Sequence, residues 1–145
     1  MKNNRKRNLS LIIQERALKN AFPNAETTRN REEYLKCTIS LTPKSFIQLF
    51  KVKIEIKKGK LEVFVLQPQN LPLYPGETSL PHVYSTSKQR LCLYFPDGTE
   101  WHGGILLTDS VVPWISEWVF FYQLWLVTGD WLGGGIKHGP KNELE

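Results

Sequence analysis

The stretch "FIQLFKVKIEIKKGKLEVFVLQ", residues 46–67, decides the fold. Within it Phe50, Val52, Ile54 and Ile56 alternate with Lys51, Lys53, Glu55 and Lys57. Successive side chains of a strand point to opposite faces, so the pattern predicts a strand with one side in the core and one in water. "KGK" at 58–60 supplies a tight turn on Gly59, and "LEVFVLQ" (61–67) returns as the next strand. Upstream, "YLKCTISLT" (34–42) alternates in the same way, with Leu35, Cys37, Ile39 and Leu41 on one face. Residues 34–67 therefore read as a three-stranded antiparallel meander with turns near Pro43 and Gly59. Cys37 falls on the apolar face, as a small hydrophobe of the core.

On the N-terminal side of the meander, Leu9, Ile12, Ile13, the stem of Arg16, Ala17 and Ala21 recur at helical spacing, which predicts a helix ended by Pro23 and Asn24. The polar run "NAETTRNREE" reads as a linker. On the C-terminal side, "QPQNLPLYPGETSLPHVY" carries Pro68, Pro72, Pro75 and Pro81, which exclude a helix or a central strand. Its apolar residues, Leu71, Leu73, Tyr74, Leu80, Val83 and Tyr84, predict an irregular segment docked on the domain. Further on, "DSVVPWISEWVFFYQLWLVTGDW" places Trp114, Trp118, Phe121 and Trp125 at i, i+4, i+7 and i+11, with Asp109 or Ser110 as cap and Gly129 as stop. Glu117 and Gln123 interrupt its apolar run, so a central core helix is expected rather than a membrane span. The sum is an α+β chain with a helix laid on one face of the sheet.

At 145 residues the chain fits one domain, 1–145, with a basic N-terminal stretch (1–8) and a tail (139–145). The net charge of +5 is concentrated in "KNNRKR" (2–7) and "KVKIEIKKGK" (51–60). That excess favours acidic partners only weakly. The aromatic residues sit in the helix and are not interleaved with lysines, which counts against nucleic-acid binding. Two cysteines make no disulfide framework, and neither they nor the three histidines show metal-ligand spacing. No metal or cofactor is expected. A reducing cytoplasm is the expected location, because the apolar stretch Leu9–Ile13 is too short for a secretory leader. Gly133-Gly134-Gly135 lacks the following Lys-Ser/Thr pair of a phosphate loop.

Cys92 stands between Leu91 and Leu93, after a polar loop and ten residues beyond Pro81-His82. "LPHVYSTSKQRLCLY" resembles the active-site stretch of ubiquitin-conjugating enzymes. In that family a His-Pro-Asn triplet precedes a polar loop and an Ile/Leu-Cys-Leu nucleophile. Leu80-Pro81-His82-Val83 stands at the triplet, Cys92 at the nucleophile and Trp101 at a downstream tryptophan. The element order is similar as well: helix, meander, proline-rich flap, cysteine, main helix. "VPWISEWVFFYQLWLVTGDWLGGGIKHGP" looks like the bacterial members, which occur in antiphage operons with a cyclic-nucleotide synthase (the CBASS systems) and in related modification operons. His82 replaces the family's asparagine, and the loop from Val83 to Cys92 is slightly longer.

The resemblance implies a ubiquitin-conjugating fold and a transferase. Cys92 would take an acyl group as a thioester and pass it to a lysine. The modifier would be the C-terminal tail of the cyclic-nucleotide synthase or a separate ubiquitin-like protein, with an activating enzyme in trans or bypassed. Chemically, a thiolate is the reactive form, and Lys88, Arg90, His82 and His102 are the nearby cations in sequence. The tetrahedral intermediate needs a donor to its oxyanion; His82 is the first candidate, then Tyr84, with His102 behind them. Two other readings stay open at this level: a cysteine hydrolase with His82 or His102 as base, and a non-catalytic binding module.

Overall fold

The computed structural model describes residues 8–42 and 48–133. Its elements, in chain order, are helix α1 (Leu11–Ala21), strands β1 (Glu26–Asn30), β2 (Tyr34–Leu41), β3 (Phe50–Lys57), β4 (Lys60–Gln67), β5 (Val83–Ser85) and β6 (Arg90–Leu91), a 3-10 turn (Leu107–Asp109), and helix α2 (Val111–Thr128). The expected turn near Pro43, the basic terminus before Asn8, His138 and the tail lie outside the described residues.

The architecture is α+β: one six-stranded antiparallel sheet, ordered β1-β2-β3-β4-β6-β5, with two helices. The alternating strands fall where their pattern put them. Leu35, Cys37 and Ile39 of β2 are buried with Phe50, Val52, Ile54 and Ile56 of β3. Between β3 and β4, Lys58 (φ 51°) and Gly59 (φ 79°) both take the left-handed region, as a two-residue turn between paired Lys57 and Lys60 demands. The expected meander is one strand short. The supposed linker "NAETTRNREE" contains β1, paired along β2 from Glu26↔Thr38 to Asn30↔Tyr34. Its residues are polar on both faces because it is an edge strand held partly by side-chain bonds. Thr27 Oγ1 donates to Glu15 at 2.6 Å, and Arg29 Nε pairs with Glu15 at 2.9 Å.

The inward face of α1 also differs from expectation. The buried stripe is Leu11, Gln14 and Leu18, while Ile12 and Ile13 are 41% and 49% exposed. Gln14 is tolerated inside because both ends of its amide are used. Nε2 donates to the Ile105 carbonyl at 3.0 Å, and Oε1 accepts from Leu107 N–H at 2.9 Å. Ser10 caps the helix through Ile12 N–H, and Glu32 reaches back to accept from Leu11 N–H at 2.6 Å.

In α2, Val111, Val112, Ile115, Trp118, Val119, Tyr122 and Trp125 are buried and share one core with β2, β3, β4, β6 and α1. Gly129 (φ 79°) closes the helix, its N–H donating to the Trp125 carbonyl. A side chain there would meet the Tyr74 ring at 2.7 Å. The irregular segment 68–82 is docked from both ends: Leu71 and Leu80 are buried, and Tyr122 O–H donates to the Pro72 carbonyl at 2.6 Å. No helix among the described residues is long and apolar enough to cross a membrane.

Candidate active site

Cys92 lies just past the short ladder β5–β6 at the end of the sheet. Arg90 pairs with Phe64 of β4, which ties β6 to the long strands. Across β5 and β6 the register runs Val83↔Leu91 and Ser85↔Arg90, so Tyr84 is the extra residue of a bulge. A bulge bends its strand and re-aims a side chain. Here the Tyr84 hydroxyl forms a hydrogen bond with Cys92 Sγ. On the other side the thiol faces the Tyr94 carbonyl at 4.0 Å.

The backbone of His82 anchors this arrangement. Held at φ 47°, His82 turns its carbonyl to accept from both Cys92 N–H (3.1 Å) and Trp118 Nε1–H (3.0 Å). The carbonyl thus joins the flanks of the cysteine to α2. The imidazole stacks on Trp131 at 4.7 Å. Gln89, at φ 53° and buried, fixes the loop between β5 and β6. Its amide accepts from Leu71 N–H (2.7 Å) and donates to the carbonyls of Val65 (2.9 Å) and Pro68 (3.0 Å). One side chain therefore holds β4, segment 68–82 and the loop before the cysteine.

The electrostatics depart from the sequence reading. In sequence Cys92 follows a polar loop with four cations nearby, a setting that favours a thiolate. Instead Cys92 is only 5% exposed, and burial pushes its thiol up to about 11, against the favourable Tyr84 hydrogen bond and Arg90 charge. Glu100 adds to the rise. Tyr84 and Tyr94 are raised too, first by burial, while the Arg90 charge opposes the rise in both.

The candidates are thus brought together unequally. Tyr84 meets Cys92 through its hydroxyl, and His82 meets it through its carbonyl. Arg90 acts on it by charge. His102 is engaged within its own loop: Nδ1 accepts from Gly104 N–H at 3.1 Å, next to Gly103, whose carbonyl takes Leu9 N–H at 2.8 Å. Sequence reasoning missed Gln89 and Glu62. A lone glutamine in a polar loop and a glutamate on a solvent-facing position carry no periodic signal. Among the described residues no group of three or more His, Cys, Asp or Glu side chains could hold a metal ion.

An antiparallel α+β fold with a cysteine held just past its terminal ladder, under a tyrosine hydroxyl, is compatible with the E2-like (ubiquitin-conjugating-like) class. A family model described as the Type II CBASS E2 protein matches residues 14–139, and the chain belongs to this family. The membership gives it an E2-like role in CBASS antiphage defence, with a partner inside that system. No curated protein matches closely enough to add a relative.

Proposed function

We propose that Cys92 is an acyl carrier in protein conjugation, on a single ubiquitin-conjugating domain in which segment 68–82 is the flap and α2 the main helix. The carbonyl carbon at a partner's C-terminus is attacked by the Cys92 sulfur. The S–C bond forms, the thiol proton leaves, and the activating group departs. A lysine amine then attacks the thioester, the C–N bond forms, and the thiol is regenerated as the C–S bond breaks. The partner that fits the family is the cyclic-nucleotide synthase of the same system, through its C-terminal tail; a separate ubiquitin-like protein would use the same chemistry. The activated donor comes from outside this chain.

The observation that carries the proposal is the Tyr84 hydroxyl on Cys92 Sγ. A donor already resting on the sulfur is well placed to stabilise a thiolate, and then the oxyanion two bonds away. We therefore assign the donor to Tyr84. His82 positions the cysteine through its carbonyl, and His102 takes no part. At rest, burial keeps the thiolate, which is the nucleophile, scarce.

Cys92→Lys tests the assignment. Lysine at that position replaces a labile thioester with a stable amide. Purified from cells carrying the neighbouring genes, the variant is expected to bring down an adduct linked to the last residue of one partner, identified by mass spectrometry. Recovery of free protein alone, where the wild type conjugates, rules out a covalent carrier.

A further inference from the structure

Tyr84 is 43% exposed and protrudes from a bulge, a poor setting for a side chain that must hold one hydroxyl against one sulfur. What steadies it is Arg90. The guanidinium carbon lies 4.6 Å from the Tyr84 ring centroid. From below, Arg90 is held by Glu62 of β4, whose Oε2 is 3.6 Å from Nη2. The pairing of Phe64 with Arg90 puts Glu62 and Arg90 on one face of the sheet. Arg90 Nε is buried with no hydrogen-bond partner. The guanidinium therefore bears a desolvation cost without full compensation, and a Tyr ring face offsets part of it. Tyr84 and Arg90 together border a hollow that Leu61, Leu93 and Tyr94 also line.

We propose that Arg90 is a positioning residue for the Cys92 reaction: anchored by Glu62, it fixes the Tyr84 ring so that the phenolic hydroxyl stays on the reacting sulfur. The chain of contacts is Glu62, Arg90, Tyr84, Cys92. It rests on the reading of Cys92 as the acyl carrier. The Arg90 charge also opposes, in part, the rise that burial imposes on the Tyr84 phenol.

The test is the alkylation rate of Cys92 by iodoacetamide, resolved from Cys37 by peptide mass spectrometry, from about pH 7 to about pH 10, where the thiolate fraction sets the rate. The groups acting on the thiol across that range are Tyr84, Arg90, Tyr94 and Glu100. Arg90→Met is expected to slow alkylation by about threefold to tenfold, the scale of one lost charge-assisted contact. Tyr84→Phe should slow it comparably, and the double variant by clearly less than the product of the two losses, the small remainder being the direct Arg90 charge on the thiol. Arg90→Lys should restore most of the rate, because an ammonium also sits over a ring face. Glu62→Gln, which leaves Arg90 and Tyr84 intact, should give a smaller loss in the same direction.

A purely structural role predicts the opposite sign, since loosening the cover of a buried thiol speeds alkylation. A faster or unchanged Arg90→Met protein overturns the proposal. So does a double variant whose losses multiply in full, which would mean that Arg90 acts on the sulfur only by its own charge and not through Tyr84. Discharge of a preloaded thioester to free lysine should follow the same order of variants. If the wild type cannot be loaded at all, the carrier reading fails, while the alkylation series still decides the role of Arg90.

Discussion

The two cysteines are both buried, and burial pushes both thiols up to about 11. Neither exposure nor resting acidity separates them. Their surroundings do. Cys37 lies mid-strand between Thr27 of β1 and Ile54 of β3, and the nearest influences on its charge are Glu15, which disfavours a thiolate, and Lys19. Cys92 sits past a bulge, with a tyrosine hydroxyl on its sulfur and an arginine charge beside it. A region of regular ladder buries sulfur as a hydrophobe. A region of irregular backbone buries it among groups able to meet an anion. Reactivity in this fold is thus written in what would receive the negative charge.

The sharpest way to break the comparison is to remove each sulfur. Cys92→Ala is expected to abolish conjugate formation on a gel. Cys37→Ala should leave conjugation in place and lower stability by about 1–2 kcal/mol, the scale of a small core truncation, read by urea unfolding. Loss of conjugation in a folded Cys37→Ala protein would erase the distinction.

A second comparison sets packing against hydrogen bonding. Gln89→Leu strips Leu71 N–H and the carbonyls of Val65 and Pro68 of the partners that hold the loop before Cys92. It should cost about 2–4 kcal/mol, since buried groups left unpaired bear their full desolvation penalty. Hydrogen exchange should locate the loosening around residues 68–90, with β2 and β3 little changed.

The smallest effect is acidic. Glu15 is held below its ordinary value of 4.5 first by the Thr27 hydroxyl and then by Arg29. Glu32 is held below it chiefly by Leu11 N–H. A carboxyl lowered in the folded state stabilises above its unfolded pKa and loses that contribution as pH falls through its folded value. Glu15 ties α1 to β1 beside Cys37, and Glu32 holds the first turn of α1. Thermal unfolding of Glu15→Gln and Glu32→Gln should therefore show a deficit at neutral pH that shrinks once the pH drops well below 4.5. A deficit that persists undiminished in acid would assign these contacts to packing rather than charge.

Much of the sheet was legible because β2, β3 and β4 bury one face and wet the other. β1 was not, because an edge strand of Glu, Thr, Arg and Asn has no apolar face to alternate. The face of α1 was misread for a related reason. Periodicity sees Ile12 and Ile13 as inward and Gln14 as outward, whereas two backbone partners make the glutamine the better buried residue. The candidate site was half legible. Cys92 stood out by its setting, with Tyr84 behind His82 as a donor and Arg90 only as one of four nearby cations, but β5 and β6 are too short for a pattern. The hydroxyl contact depends on a bulge that leaves no mark in the sequence. His82 was read by its ring, while the contacts that tie it to the cysteine are made by its carbonyl.

That carbonyl has one more consequence. Many acyl-transfer enzymes meet the oxyanion with the backbone N–H of the nucleophile itself. In this fold the Cys92 N–H is already committed, at 3.1 Å, to His82. Under the proposed carrier role, stabilisation of the intermediate would be delegated to side chains, and side chains are what point mutations exchange. A carrier built this way would let natural selection adjust the speed of transfer by single codon changes at Tyr84 and its neighbours without disturbing the peptide framework that holds the cysteine.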